Sequence, residues 1–306
     1  VSLFVENLAP AEILALLALS LNLQYGITGL LNFGQGFFYA LGGYSVGVVY
    51  FHHWPGWIAV VAAPIVGAIG GLLLAAGTMR LTGDFWALMT LGVAALFIAI
   101  VSNVGGLAGG VLGSYEIPRA NVGRLDVYLG ITIAVCFLLF ERIRRSQLGR
   151  LLRIAREDPV LVAALGRNVL FLRARVLALG GAAAAIAGVA LAYWLSVIAP
   201  TVFTLDQTIL VWTALILGGR GNNLGAIVGA LALESLVTYL PYLPGFDSVV
   251  SNINWGPAQL IIEAAILVGF LMVRREGIFP EWRVLHGTGR RTAVARLRGV
   301  RFSSQS

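Results

Sequence analysis

Two short clusters combine glycine with carboxamide side chains inside otherwise apolar sequence. In GITGLLNFGQGFFYALGGYSVG, Gly26 to Gly47, the glycines Gly29, Gly34 and Gly36 surround Asn32 and Gln35. In LGGRGNNLGAIVG, Gly218, Gly219, Gly221 and Gly225 surround Asn222 and Asn223. Glycine in a helix interior costs about 1 kcal/mol relative to Ala, so such clusters require another reason. One reason is a break. A helix interrupted within a bilayer presents the positive end of its dipole at the new N-terminus, and amides beside it add donors for an anionic group such as a carboxylate. Gly-broken segments in corresponding halves of a chain point to a solute path. Close helix packing is the alternative reading for both clusters, and the Gly67–Gly71 and Gly225–Gly229 spacings fit a small-xxx-small contact face. A tight cytoplasmic turn is a further alternative for the second cluster.

The most specific local feature is ERIRRSQLGRLLRIAREDPVLVAALGRNVLFLRARV, Glu141 to Val176. Its middle is punctuated as a short helix, with Asp158 as N-cap, Pro159 at the first helical position and Gly166 just past the end. Between them, Val160 to Leu165 is apolar. An apolar helix with charged flanks either docks into a partner or lies on a membrane surface.

Other reactive groups are sparse. Glu12, Glu234 and Glu263 fall inside apolar segments and Asp84 at the end of one. Carboxylates in lipid are functional candidates by default. For Glu12, near the start of its segment, interfacial solvation also accounts for the position. Glu234 and Glu263 lie deeper and suit protonation, pairing across a bundle or a wet cavity, which leaves a proton relay open. The chain contains no lysine, which excludes the phosphate-binding pattern G-x-x-x-x-G-K-[ST] and a Schiff base. Cys136 is the only cysteine, so neither an intrachain disulfide nor a C-x-x-C site can form. His52, His53 and His286 have no paired carboxylate motif. No metal, cofactor or catalytic set is expected.

These residues must be positioned by membrane-spanning helices. The chain of 306 residues is 58% hydrophobic and 11% charged, and its mean hydropathy is +0.88; soluble proteins carry roughly 25% charged residues. Apolar segments fall at about 8–27, 36–53, 57–79, 84–104, 126–141, 172–195, 206–219, 222–240 and 256–273. The expected fold is all-α, a polytopic integral membrane bundle of about 8–10 transmembrane helices including Gly-broken or half-helices. The segment 206–219 is too short for a full tilted span and reads as a half-helix. Residues 1–280 form one transmembrane domain, with a cytoplasmic loop at 148–168, and residues 281–306 a basic cytoplasmic tail. The start lacks a basic n-region and a small-residue cleavage site, so residues 1–30 are read as a span and not as a cleaved leader.

Orientation follows from arginine, because cytoplasmic loops collect basic residues. With the Glu141–Arg175 block inside, strict alternation places Arg80, Arg220, Arg274, Arg275 and the tail inside as well. Of the 21 arginines, Arg119 and Arg124 alone fall outside. The N-terminus is then outside and the C-terminus cytoplasmic. The net charge of +7 is accounted for by a tail beside an anionic leaflet, where each nearby Arg contributes roughly 1 kcal/mol. It does not call for nucleic acid.

Four separated stretches carry a family resemblance: NLQYGITGLLNFGQGFFYALGGY (Asn22 to Tyr44), LTGDFWALMTLG (Leu81 to Gly92), LGRLLRIAREDPVLVAALGRNV (Leu148 to Val169) and APTVFTLDQTILVWTALILGGRGNNLGAIVGA (Ala199 to Ala230). With the ending VRREGIF (Val273 to Phe279), they make the chain similar to the permease subunits of branched-chain amino acid ABC importers of the LivM/LivH type, and more closely to the LivM branch.

The resemblance implies a passive half-pore in a prokaryotic inner membrane. It implies pairing with a second, related permease, two cytoplasmic ABC ATPases that carry the ATP and magnesium, and an extracytoplasmic substrate-binding protein. The loops Gly105 to Leu125 and Pro241 to Gly256 would receive that binding protein. The segment Asp158 to Gly166 matches the family's coupling segment. It places Asp158, Pro159, Leu161, Ala164 and Gly166 in ATPase coupling, with Arg153, Arg156 and Glu157 flanking them against the ATPase surface. Pro159 departs from the polar residues common there. For a zwitterionic amino acid, the break at Asn32, Gly34, Gln35 and Gly36 would offer amides to the carboxylate, and Phe37, Phe38 and Tyr39 apolar contact to the side chain. Two alternatives stay open: a urea or short-amide importer of the same family, and a proton-coupled secondary transporter using Glu234 or Glu263.

Overall fold

The computed structural model describes residues 8–78, 81, 84–105, 109–114, 117–239, 261, 264–265, 268–269, 272 and 277–279. The expected segment at 256–273 is therefore largely outside the described residues, as are Glu263, Arg80, Arg274, Arg275, the loop 241–256 and the tail. Among the described residues there is no strand, and one antiparallel bridge joins Ser114 to Ile198.

The chain runs through α1 (Leu8–Leu21), a π-helical turn (Asn22–Ile27), α2 (Gln35–Phe51), α3 (Trp57–Thr78), α4 (Asp84–Asn103), α5 (Val122–Arg145), α6 (Gln147–Glu157), α7 (Pro159–Ala164), α8 (Val169–Leu195), α9 (Leu205–Gly218) and α10 (Asn223–Tyr239). Short 3₁₀ turns occupy Gly110–Leu112 and Pro200–Val202. Six stretches are long and apolar enough to cross a bilayer: Leu8–Ile27, Trp57–Thr78, Phe85–Asn103, Gly123–Arg145, Val169–Leu195 and Pro200–Gly218. The helix expected to be short is 14 residues long, and the 3₁₀ turn before it completes an apolar stretch of 19.

α1 is the axis of the bundle. It is rich in leucine and alanine, favourable helix formers, and apolar on every side. α5, α8, α9 and α10 pack around it. Of the most apolar window in Leu8–Ile27, 78% is buried, against 22% in each of α4 and α5, whose outward faces are left to lipid.

α2, α3 and α8 form the second packed group. A methyl on Gly67 would run into the Gly181 carbonyl, and one on Gly71 into the Leu177 carbonyl. Backbones approach this closely only where side chains are absent, so the Gly67–Gly71 spacing is a helix contact face, as expected.

One end of the bundle gathers the π-helical turn, α6, α7, the α9–α10 turn and Gly277–Phe279, whose Ile278 and Phe279 amides donate to Leu217 and Gly218 at 2.9 and 3.0 Å. The other end gathers residues 52–57, 109–114, 117–121 and 193–200, tied by Tyr193 Oη to the Gly56 carbonyl at 3.2 Å and by the Ala120 amide to the Tyr193 carbonyl at 3.1 Å.

Candidate functional site

The π-helical turn ends α1 at the arginine-rich end of the bundle. Gly29, at φ +71°, then reverses the chain, and its amide donates to the Tyr25 carbonyl at 2.9 Å. Residues 28–34 fold back between helices before α2 begins at Gln35 with Gly34 as N-cap. Backbone that departs from helix within a membrane needs internal partners, and here side chains supply them. The Asn32 amide donates to Gln24 Oε1 at 2.5 Å and Gln35 Oε1 at 3.5 Å, while its Oδ1 accepts from the Gly34 amide at 2.8 Å. Gln35 Nε2 donates to Ser20 Oγ at 2.9 Å, and Ser20 Oγ donates to the Gly180 carbonyl at 2.7 Å. All these side chains are fully buried. The two amides expected to face a solute therefore hold the break together in this conformation.

α9 also begins partway along the bundle, after the turn at Pro200–Val202, and its first residues meet the start of α2. Trp212 Nε1 donates to the Asn32 carbonyl at 3.2 Å, and its ring stacks on Phe33 with centroids 4.9 Å apart. Leu17, Gln35, Gly36, Tyr39, Gln207, Thr208 and Val211 line a crevice between the two N-termini that is too narrow for a water molecule. Two helix dipoles thus present their positive ends to one uncharged polar spot. The aromatic run divides around it. Tyr39 lines the crevice, whereas Phe38 packs against Gly181 on α8 and Phe37 against Gly70 and Phe97 on α3 and α4. Successive helical residues point about 100° apart, so three in a row cannot share a face. Of the three rings expected to share an apolar contact, Tyr39 alone lines this crevice.

The second glycine cluster is a turn at the arginine-rich end. Gly219 and Gly221 adopt φ of +109° and +82°, and Asn222 Oδ1 accepts from the Leu224 amide at 3.1 Å to start α10. It is also tied to the first cluster. Asn22 Nδ2 donates to Asn223 Oδ1 at 2.8 Å and Asn22 Oδ1 accepts from the Gly221 amide at 2.8 Å. Asn223 Nδ2 donates in turn to Glu141 at 3.0 Å, a carboxylate already paired with Arg144 and Arg145 at 2.5 and 2.6 Å. The counterpart of the first break is thus Pro200–Thr204, for which Pro200 is the sequence signal. Sequence reasoning also passed over Ser20, Gln24, Thr208 and Trp212, isolated polar residues in apolar runs.

In the segment Asp158 to Gly166, Asp158 Oδ1 accepts from the Val160 and Leu161 amides at 2.9 and 3.1 Å, and α7 begins at Pro159. Gly166 follows the end at φ +73°. Val162 is fully buried, while Val160, Leu161 and Leu165 are 75%, 49% and 60% exposed, and Ala164 is exposed beside them. Glu157 points outward. Arg153 and Arg156 turn inward instead, donating to the Arg144 carbonyl at 3.2 Å and the Gly26 carbonyl at 2.5 Å. Glu234 is half-buried on α10, within electrostatic reach of Tyr39.

Six helical stretches long and apolar enough to cross a bilayer, with a capped apolar helix exposed beside an arginine-rich end, define a polytopic membrane protein. The chain belongs to the family described as branched-chain amino acid transport system / permease component, whose model matches residues 4–272.

The chain is 28% identical over 250 residues to the high-affinity branched-chain amino acid transport system permease protein LivM of Salmonella typhimurium, covering 71% of this chain and 59% of that protein. It thus spans about three-fifths of the length of that relative. A probable LivM of Methanocaldococcus jannaschii is 25% identical with 87% and 90% covered, and LivH of Escherichia coli 29% identical with 72% and 79% covered. The LivM matches are the stronger. Among solved structures, PsaBC from Streptococcus pneumoniae in complex with Fab aligns at 15% identity and TM-score 0.46 over 92% of this chain and 93% of that one.

Proposed function

We propose that this protein is one permease subunit of an ATP-binding-cassette importer for branched-chain and related hydrophobic amino acids. Its partners are a second, related permease, two cytoplasmic ATPases holding ATP and magnesium, and an extracytoplasmic binding protein. The arginine-rich end is cytoplasmic, since basic residues collect on that side, and the N-terminus of α1 faces out. The membrane is a prokaryotic inner membrane. The observation that carries the reading is α7: an exposed apolar helix, capped by Asp158 and anchored by Val162, at the arginine-rich end of the bundle. Beside it, the family match across residues 4–272 and the names of the relatives support the transport role and the substrate class.

The mechanism is alternating access. Substrate passes where α2 and α9 begin, its carboxylate favoured by the two helix N-termini and its side chain by Tyr39 and Val211. The closed crevice between them opens when α9 and α2 separate. ATPase closure drives that separation by moving α7, and substrate shifts the equilibrium by its differential affinity for the two states. Purification from native membranes in mild detergent tests the assembly. Recovery of an ATPase and a second permease is expected. A lone protein that moves leucine in liposomes without nucleotide would instead establish a secondary transporter.

A further inference from the structure

Arg156 stands where α6 meets the π-helical turn. Its guanidinium Nη1 donates to the Gly26 carbonyl at 2.5 Å, and its Nε pairs with Glu157 at 3.2 Å. Its aliphatic stem covers Gly29, where an added methyl would collide with Arg156 Cγ. One side chain therefore links Glu157, the residue before the α7 cap, to Gly26 and Gly29 where the turn that ends α1 closes. The last carbonyls of a helix have no partner within it, so the Gly26 carbonyl, near the end of the π-helical turn, needs an outside donor. A charge-assisted bond to that carbonyl is among the stronger ones available.

We infer that Arg156 is a positioning residue for transport: it transmits displacement of α6 and α7 to the Asn22–Gly29 turn, and through Gln24 and Asn32 to the start of α2. This rests on the importer reading. The relay is short and continuous. Gly26 and Gln24 lie in the same turn, Gln24 Oε1 accepts from Asn32, and Asn32 Oδ1 accepts from the Gly34 amide that caps α2. The side chain is largely withdrawn from the surface that a partner would touch, so its role is internal.

The test uses the reconstituted complete importer, with amide hydrogen exchange read with and without ATP. In the wild type, ATP alters exchange in both 159–164 and 22–30. In Arg156→Gln, the change at 159–164 persists, the change at 22–30 is lost, and amino acid uptake per ATP hydrolysed falls by about tenfold, within the usual range of coupling energies. Arg156→Lys, which keeps a cation and a stem over Gly29, recovers part of both. An Arg156→Gln complex with wild-type uptake per ATP and an intact ATP response at 22–30 would overturn the inference. Absence of any ATP response at 159–164 in the wild type would instead overturn the importer reading, and the inference with it.

Discussion

Asn22, at the start of the π-helical turn, and Asn223, at the start of α10, bond side chain to side chain at 2.8 Å inside the bundle. The pair joins the turn that leads into the first glycine cluster to the second cluster, across 201 residues of sequence. Asn22 is also held by the Gly221 amide and Asn223 by Glu141. Removing one member leaves buried partners unsatisfied, at a cost of about 1–3 kcal/mol. Asn22→Ala and Asn223→Ala are each expected to lower the unfolding midpoint in detergent. The double variant is expected to cost less than the sum, because each single change already breaks the shared bond. Thermal unfolding followed by fluorescence measures this.

Glycines on the same helix are expected to respond oppositely. On α3, Gly67 faces the α8 backbone, whereas a methyl on Gly77 meets nothing within 4 Å. Gly67→Ala forces the helices apart, with a cost of about 1–3 kcal/mol for overpacking. Gly77→Ala is neutral or stabilising by up to about 1 kcal/mol through helix propensity. Thermal midpoints of the two purified variants decide the matter.

The crevice and its surroundings separate in the same way. A larger side chain at Gly36, which faces Thr208 Oγ1, is expected to fill the meeting point of α2 and α9. Gly36→Val is expected to reduce uptake by about tenfold, equivalent to ~1.4 kcal/mol, at unchanged membrane abundance. Phe37→Leu, on the face turned to α3 and α4, is expected to leave uptake within twofold by the same scale. Uptake of labelled leucine at matched expression measures both.

For α7, exposure predicts where a charge acts. Val160→Asp is expected to weaken ATPase association by about 2 kcal/mol, the scale of an interface hot spot, without lowering the stability of the isolated subunit. Val162→Asp buries a carboxylate and is expected to reduce folding yield itself. Co-purification of the ATPase, read beside thermal stability, distinguishes the two.

The helices were legible because a bilayer demands long apolar runs, and the limits of α3, α4 and α8 fall close to the apolar segments that predict them. The cap at Asp158 and the stop at Gly166 were equally legible, since local residue chemistry fixes them. The contents of the site were less so. Ser20 and Trp212 reach the Gly180 and Asn32 carbonyls, 160 and 180 residues away, and a lone polar residue in an apolar run carries no mark of its partner. Arg156 illustrates the same limit. Its neighbours place it in a basic loop that faces a partner, but its rotamer reaches inward to Gly26.

Uptake in proteoliposomes tests the central claim most directly. The complete importer is reconstituted with binding protein and labelled leucine on one side and ATP on the ATPase side. Accumulation is expected to require ATP, to persist when an ionophore collapses the proton gradient, and to be competed by isoleucine and valine but not by urea. Accumulation without ATP that disappears with the ionophore would contradict the account.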